Sequence, residues 1–562
     1  MIDTSEQTAR ANFLWGRATA QGLADLGVEQ VFFSPGSRST PLVVSCEREA
    51  RLSCLPVLDE RTAAFLALGH ARRTQVPVAL VCTSGSAPAN WYPAVTEASY
   101  SGIPLLLLSA DRPPELQECG AGQTINQINL FGSFVRFFHS LPVPRSEQDD
   151  IKNLQAILAK AYSEATGQSP GPVHLNFPFC EPLWPTLEVT SKFAHLVKTE
   201  ASPRTADHPK NFAGNVSAAI RNSVRPIIIA GMNCPLNALQ SFTTLPILCD
   251  SLSPLRENEH PARILRYENL LRCPEFSGSS TPDLFLVLGP LPSSKTLRAW
   301  MDQSGAKRVV IEPSGQKVDP LSSRGEQHTM RFEDLADIEF PTAEKDWLDK
   351  WITGDATVEK NITKEFLDLS FFEEPKVTRL LSENLPKNCH LHVANSMPIR
   401  DLEWFWKPGN RERKLHGARG VNGIDGTLGT AMGIAHLSKE PVYLLSGELA
   451  FLHDSNALLC ASDIQGSLTV FVINNQGGGI FENLAVSSLS EFEKCFATPQ
   501  NCDFFKLCQA HGVEYHLCKS EEELVSWMAH PHKLGIRVIE IQTDRKQDRD
   551  IRARLLSIGP SS

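Results

Sequence analysis

Val470, Phe471, Val472 and Ile473 form an apolar run that passes directly into Asn474, Asn475, Gln476 and three glycines, Gly477, Gly478 and Gly479. Four β-branched or aromatic residues in a row suit a strand covered on both faces. The asparagines offer amide oxygens, and the glycines allow positive φ and a close approach of backbone to a ligand. Upstream, "VYLLSGELAFLHD" is a second apolar run, ending in Gly447, Glu448 and Leu449. Glu448 and Asn475 lie 27 residues apart, the length of one strand, a helix and the neighbouring strand, so both fit side by side at the carboxyl edge of a parallel sheet. Glu448, Asn475 and the Gly477 carbonyl then make a hard oxygen set suited to Mg²⁺, which ordinarily shares its site with phosphate oxygens. The glycine N–H groups are placed to approach a diphosphate. A tight turn is the alternative that Asn and Gly also satisfy, and Asp454 or water is the alternative completion of the shell.

The elements that must carry these groups recur along the chain. "VEQVFFSPGS", "VPVALVCTSGS", "IPLLLLSADRPP" and "GPVHLNFP" are apolar runs ending in small or turn-forming residues, with helical stretches such as "DERTAAFLALGHARR" between them. The alternation is that of βα units and a parallel sheet. "RPIIIAGMN", "PDLFLVLGP" and "AKRVVIEPSG" repeat it, and "CHLHVANS", "EPVYLLSGE", "LTVFVINNQGGG" and "GIRVIEIQTD" form a third set. Polar stretches near 197–211 and 341–361 separate the sets. The expected architecture is α/β, three doubly wound parallel-sheet domains at 1–190, 205–345 and 360–562. Ligands of such sheets sit at the carboxyl ends of the strands.

Composition narrows the function classes. Lys plus Arg number 54 against 64 Asp plus Glu, a net charge of −10, and no long basic run stands out, which argues against nucleic acid. The first residues lack the basic start and apolar core of a signal peptide, and no stretch approaches the ~20 apolar residues of a membrane span; the expected location is the cytoplasm. The 14 cysteines are scattered with no C-x-x-C pair and read as buried free thiols. In an acidic chain, arginines at strand ends are suited to anionic ligands, because the guanidinium fork matches a carboxylate. Arg38, Arg112, Arg400 and Arg419 stand in such loops. Each alone reads first as a surface ion pair; together they suggest a substrate with several carboxylates.

The pattern from Gly447 to Gly477 resembles the thiamine diphosphate motif of the 2-oxoacid decarboxylase and acetohydroxyacid synthase superfamily. One letter departs: Glu448 stands where the motif has aspartate, longer by one carbon, about 1.5 Å, in a site for Mg²⁺ or Mn²⁺ where near-ideal geometry matters. The resemblance implies thiamine diphosphate as cofactor, with pyrimidine, central and diphosphate domains in that order. It also implies a glutamate, supplied by the partner subunit's N-terminal domain, that hydrogen-bonds the aminopyrimidine ring. Glu60 matches that glutamate; an acid in the first helical turn is its alternative role, which Asp59 could fill as well. Ile424, in "NGIDG", matches the apolar residue that bends the cofactor, or is simply core.

A closer likeness spans nearly the whole chain and is weakest from about 190 to 380. "SPGSRSTPL", "DERTAAF", "TSGSAPAN", "ADRPPEL", "GAGQTINQ", "RGVNGIDGTLGTA" and "GELAFLHD" together resemble the family of 2-succinyl-5-enolpyruvyl-6-hydroxy-3-cyclohexene-1-carboxylate (SEPHCHC) synthases. What this implies is decarboxylation of 2-oxoglutarate and conjugate addition of the resulting succinic semialdehyde carbanion to isochorismate, in menaquinone or phylloquinone biosynthesis, by a homodimer at least or a homotetramer. Carried over residue by residue, Ser37, Arg38, Arg112, Gln123, Lys295, Ser396, Arg400 and Arg419 would bind substrate, with Phe481 beside them. Glu60, Arg38, Gln123, Ser396, Arg400 and Arg419 would form the catalytic set. Asn395, Asn422, Ile424, Gly447, Glu448, Leu449, Asn475, Gly477, Gly478, Ile480 and Phe481 would join Glu60 around the cofactor. Gly122 stands where some relatives place asparagine. Another thiamine-dependent decarboxylase or carboligase, and a non-catalytic α/β binding protein, remain alternatives; Glu448 is the feature that favours the last.

Overall fold

The computed structural model describes residues 4–185, 212–232, 234–321 and 325–560. Each of the three sets of βα units builds one six-stranded parallel sheet. The first holds β1 (Gln30–Phe33), β2 (Ser53–Pro56), β3 (Val78–Cys82), β4 (Leu105–Asp111), β5 (Phe137–Ser140) and β6 (Val173–Pro178), in the order β2-β1-β3-β4-β6-β5. The second holds β7 (Pro226–Ala230), β8 (Ile247–Cys249), β9 (Arg263–Ile264), β10 (Leu284–Leu288), β11 (Lys307–Ile311) and β12 (Gly325–His328), in the order β12-β11-β10-β7-β8-β9. The third holds β13 (His390–Val393), β14 (Lys414–His416), β15 (Val442–Gly447), β16 (Ser467–Asn474), β17 (Glu514–Leu517) and β18 (Gly535–Gln542), in the order β14-β13-β15-β16-β18-β17.

The strands form where apolar runs are covered on both faces. Along β7, Ile228 and Ala230 enter one core cluster and Ile227 and Ile229 another, as the period of two requires. Every residue of β3 and β4 is buried. The first and third sheets share one winding, and the second has the order of a dinucleotide fold. Succession reverses between β1 and β3, between β7 and β10, and between β13 and β15. At such points the loops diverge and leave a crevice beyond the carboxyl ends of the strands.

The polar stretch expected to separate domains near 341–361 is instead the start of a 21-residue helix, Trp347–Leu367. Trp347, Trp351, Val358, Ile362 and Phe366 recur at helical spacing and are buried in the core on one face of the second sheet, so its polar residues form only the outer face. The other expected separator, near 197–211, lies outside the described residues. The 14 cysteines are free; eight are buried, while Cys119 and Cys495 are exposed. Among the described residues no helix is long and apolar enough to cross a membrane.

The described chain groups into two compact units. The first takes residues up to 185 with Ala418–Ser438 and Leu452–Ser467; the second takes those from 212 to Gly417, Lys439–Phe451 and the residues from Leu468 onward. In the first unit the helices Glu60–Thr74 and Thr427–Ala435 pack backbone to backbone. A Cβ on Gly69 would lie 2.0 Å from the Thr430 carbonyl oxygen, and one on Gly433 would lie 2.0 Å from that of Leu66. Gly433→Ala must push the helices apart and is expected to cost about 1–3 kcal/mol, read as a lower denaturant midpoint; an unchanged midpoint would contradict this packing.

Candidate active site

In the first unit, three of the expected substrate residues meet at the reversal between β1 and β3. After β1 the chain turns through Ser37–Ser39; Ser37 is exposed and Arg38 buried. Arg38 donates from Nη1 to the Phe179 carbonyl at 2.9 Å and pairs through Nη2 with Glu181 at 2.8 Å. Arg112, directly after β4, donates to the Ser84 hydroxyl. Gln123 Nε2 donates to the Ser84 carbonyl at 3.2 Å, and Ser84 Oγ donates to the Gln123 carbonyl at 3.0 Å. Burial, with the like charge of Arg38 adding to it, holds the Arg112 guanidinium below its usual pKa. Two guanidinium groups thus share one neighbourhood, an arrangement suited to an anion. Ser84 joins them, a residue whose small size gives no local signal of its role.

Glu60 opens the helix Glu60–Thr74 and is half-buried. Asp59 fills the capping role, accepting from the Arg61 and Thr62 N–H groups at 2.8 and 3.4 Å. Glu60 is left with a long contact from Asn90 Nδ2 at 3.5 Å, so helix capping does not account for it. Asp454, the alternative partner for a cation, accepts from the Gly429 N–H at 2.7 Å and faces Arg61 at 3.8 Å. Arg419 and Ile424 are half-buried; Asn422 is exposed, with φ of 60°.

In the second unit, Glu448 and Asn475 stand at the ends of adjacent strands, β15 and β16, whose register pairs Gly447 with Ile473. Both side chains are buried, 3% and 6% exposed. The Glu448 carboxylate accepts from the Gly477 N–H at 2.5 Å. Asn475 Nδ2 donates at 3.3 Å to Glu374, which Arg552 holds at 2.6 Å. Its Oδ1 has no hydrogen-bond partner among the described residues. A buried amide oxygen without a donor is costly, and a hard cation is the partner that an amide oxygen beside a carboxylate accommodates. The residues therefore fit a cation bound by Glu448, Asn475 and the Gly477 carbonyl. Among the described residues no three His, Cys, Asp or Glu side chains gather as a metal-holding group, so such a cation relies on one carboxylate, neutral oxygens and ligand phosphates.

The glycines depart from their expected use. The Gly477, Gly478 and Gly479 N–H groups are engaged with Glu448, the Ala497 carbonyl and the Gly477 carbonyl respectively, so they are not open to a diphosphate. Gly477 is required instead by φ of 137° and by a Cβ position 2.6 Å from the Ala497 carbonyl oxygen. The Gly477 carbonyl keeps a second lone pair. Leu449, next to Glu448 in the chain, is half-buried, and Phe481 packs edge-on against Phe496 at 5.9 Å.

Asn395 and Ser396 follow β13, Asn395 buried and Ser396 at φ of 75°. Arg400 stands in the first turn of the helix Met397–Phe405 rather than in a loop, because the chain turns helical directly after Ser396. Lys295 begins the helix Lys295–Ser304 after β10, capped by Ser294, whose Oγ accepts from the Leu297 N–H at 2.9 Å. Lys295, Arg400 and Ile480 line one cavity of about 400 Å³ with Arg272, Trp404 and Arg552. The last three were not foreseen; Trp404 lies one turn beyond Arg400 on the same helix, and helices distant in sequence bring in Arg272 and Arg552.

Two family models match: the thiamine pyrophosphate enzyme N-terminal TPP binding domain over residues 15–130 and the C-terminal TPP binding domain over 404–540. Together with the sheets and the Glu448–Asn475 site, they define a thiamine diphosphate-dependent enzyme. Relatives named 2-succinyl-5-enolpyruvyl-6-hydroxy-3-cyclohexene-1-carboxylate synthase are 37% identical in Trichodesmium erythraeum, with 96% of both chains covered, and 38% in Synechococcus elongatus, with 96% of this chain and 94% of the relative covered. A third, from a Nostoc species, is 39% identical with 97% of both covered. The chain belongs to the SEPHCHC synthase family.

Burial, with the Glu374 carboxylate adding, pushes Glu448 up from 4.5 to about 7. Between those values the cation-free folded chain binds more protons than the unfolded one, so this group's stabilising contribution is complete below 4.5 and is lost as pH rises through 7. In the metal-free protein, Glu448→Gln is expected to flatten that part of the stability profile by roughly 1–3 kcal/mol. Identical urea-midpoint profiles for both proteins from pH 4.5 to 7.5 would contradict it.

Proposed function

We propose that the chain decarboxylates 2-oxoglutarate and joins the remaining four-carbon unit to isochorismate, as the names of its relatives imply. The observation that carries the reading is the cavity of the second unit, where Lys295 and Arg400, from separate helices, face a common space. Two cations there suit a dicarboxylate, and Arg38 with Arg112 supplies a second cationic neighbourhood in the first unit. Both proposed substrates are dianions.

Thiamine diphosphate, when bound, supplies the nucleophilic carbon that accepts the 2-oxo acid and the electron sink that lets CO₂ leave. Glu448, Asn475 and the Gly477 carbonyl would hold Mg²⁺ or Mn²⁺ against its diphosphate. On the family resemblance, Glu60 supplied by a second subunit would hold a proton at the pyrimidine ring nitrogen; Asn422 and Ile424 of the first unit and Asn395, Ile480 and Phe481 of the second are the further residues that resemblance assigns to the cofactor. Arg400 and Lys295 would bind one carboxylate and fix its distance from the reacting carbon; Ser396, Arg419, Arg38, Arg112 and Gln123 would bind the remaining carboxylates and hydroxyls. Orientation by such fixed cations is the protein's main contribution to rate. On the family resemblance, the working form is an oligomer of at least two chains acting in the cytoplasm.

The test is paired. CO₂ release from 2-oxoglutarate is expected to depend on isochorismate and to match formation of the adduct; release independent of isochorismate would indicate a simple decarboxylase, and no release would overturn the reading. Arg400→Lys keeps the charge but loses the fork, so kcat/KM is expected to fall by about 1–3 kcal/mol with little change in Tm. Normal kinetics with a collapsed Tm would make Arg400 a structural ion pair.

A further inference from the structure

Glu97 carries no role above, yet it anchors the segment that bears Arg419 and Asn422. It lies in the helix Tyr92–Ser101 and is 2% exposed. Its Oε1 accepts from the Gly420 N–H at 3.0 Å and its Oε2 from the Val421 N–H at 2.8 Å. Arg72, from the helix that Glu60 opens, reaches Oε1 at 3.2 Å, and Ser101 Oγ donates to it at 2.6 Å. All of these groups belong to the first unit.

Residues 417–426 form neither helix nor strand, so no ladder of backbone bonds fixes their path. Two adjacent N–H groups on one buried carboxylate do so instead. Such charge-assisted bonds are shorter and stronger than neutral ones, and the Arg72 guanidinium pairs with the same carboxylate. The fit is close from the other side too. A Cβ on Gly420 would lie 2.8 Å from both the Glu97 carbonyl oxygen and Ser101 Oγ, so the segment can lie against the helix only with glycine there.

We propose that Glu97 is a positioning residue: by clamping the Gly420 and Val421 N–H groups to the helix Tyr92–Ser101, it sets the directions from which Arg419 and Asn422 reach a substrate carboxylate and the cofactor. The inference rests on the functional reading above. In Glu97→Gln, shape is kept, but an amide nitrogen must face one of the two N–H groups and the ion pair with Arg72 is lost. Gly420→Ala disturbs the same contact from the segment's side while leaving the carboxylate in place.

The experiment measures kcat, the KM of each substrate, the thiamine diphosphate Kd with Mg²⁺ from intrinsic fluorescence, and Tm, for the wild type, Glu97→Gln, Glu97→Asp and Gly420→Ala. The expected result is a KM for at least one substrate raised about tenfold or more, a weaker cofactor Kd in both Glu97→Gln and Gly420→Ala, and partial recovery in Glu97→Asp, which keeps the charge. KM and cofactor Kd within about twofold of wild type in Glu97→Gln and Gly420→Ala would overturn the inference, whatever happens to Tm, because a purely structural acid moves only Tm. Should Glu97→Gln fail to fold, Gly420→Ala decides alone. A wild type without turnover would overturn the functional reading instead, and the cofactor Kd would still judge Glu97.

Discussion

A carboxylate and an amide oxygen removed from water, with no cationic side chain paired to them among the described residues, impose the main constraint on the second unit. Leaving one buried acceptor unpaired costs about 1–3 kcal/mol, and Asn475 Oδ1 is in that position. The surrounding residues hold it there. Glu374 binds the amide nitrogen, Arg552 binds Glu374, and the same guanidinium forks onto Asp401 through Nε and Nη2 at 2.7 and 2.6 Å. Asp548 completes the cluster by accepting from the Glu374 N–H at 2.9 Å. Three buried carboxylates surround this one arginine, and burial pushes both Asp401 and Asp548 up to about 7, towards their neutral forms. These contacts fix the orientation of the Asn475 amide, and with it the place where a cation would find its neutral ligand.

Topology places this chemistry. Each sheet reverses its winding in the middle, and the polar side chains that belong to no ordinary core gather beyond those central reversals. Arg38 and Ser84 flank the first, Lys295 follows β10 at the second, and Ser396 and Glu448 flank the third. The common winding of the first and third sheets gives both the same kind of crevice. In one it is lined by guanidinium groups, in the other by a carboxylate and amides. Fold and site are therefore linked by the strand order as much as by any one contact.

The central strands were legible in the sequence because burial on both faces writes an unbroken apolar run, as in "LLLLSAD" and "VFVIN". The strands that were missed are mainly those at the edges. β2 and β5 close the first sheet, β14 and β17 the third, and β12 and β9 the second; "SCLP", "KLH" and "EYHL" are short and half-exposed, so nothing separates them from loop. The helix Trp347–Leu367 was hidden for a related reason, its polar face outweighing the tryptophans spaced along the other. Glu448 and Asn475 were readable from spacing, since one strand–helix–strand step brings them together. Glu374, Arg552 and Glu97 were not, because each acts through a partner more than 100 residues away, and no local pattern records such a pairing.

The account depends most on the claim that Glu448 and Asn475 are cation ligands. Calorimetric titration of Mg²⁺ into the protein with saturating thiamine diphosphate addresses it directly, comparing the wild type with Glu448→Ala, which removes the only charged side chain of the set. The account predicts one cation per chain in the wild type and an affinity lower by at least about tenfold in the variant. Equal affinity and stoichiometry in the two proteins would contradict it, and would leave the buried amide oxygen of Asn475 without a purpose.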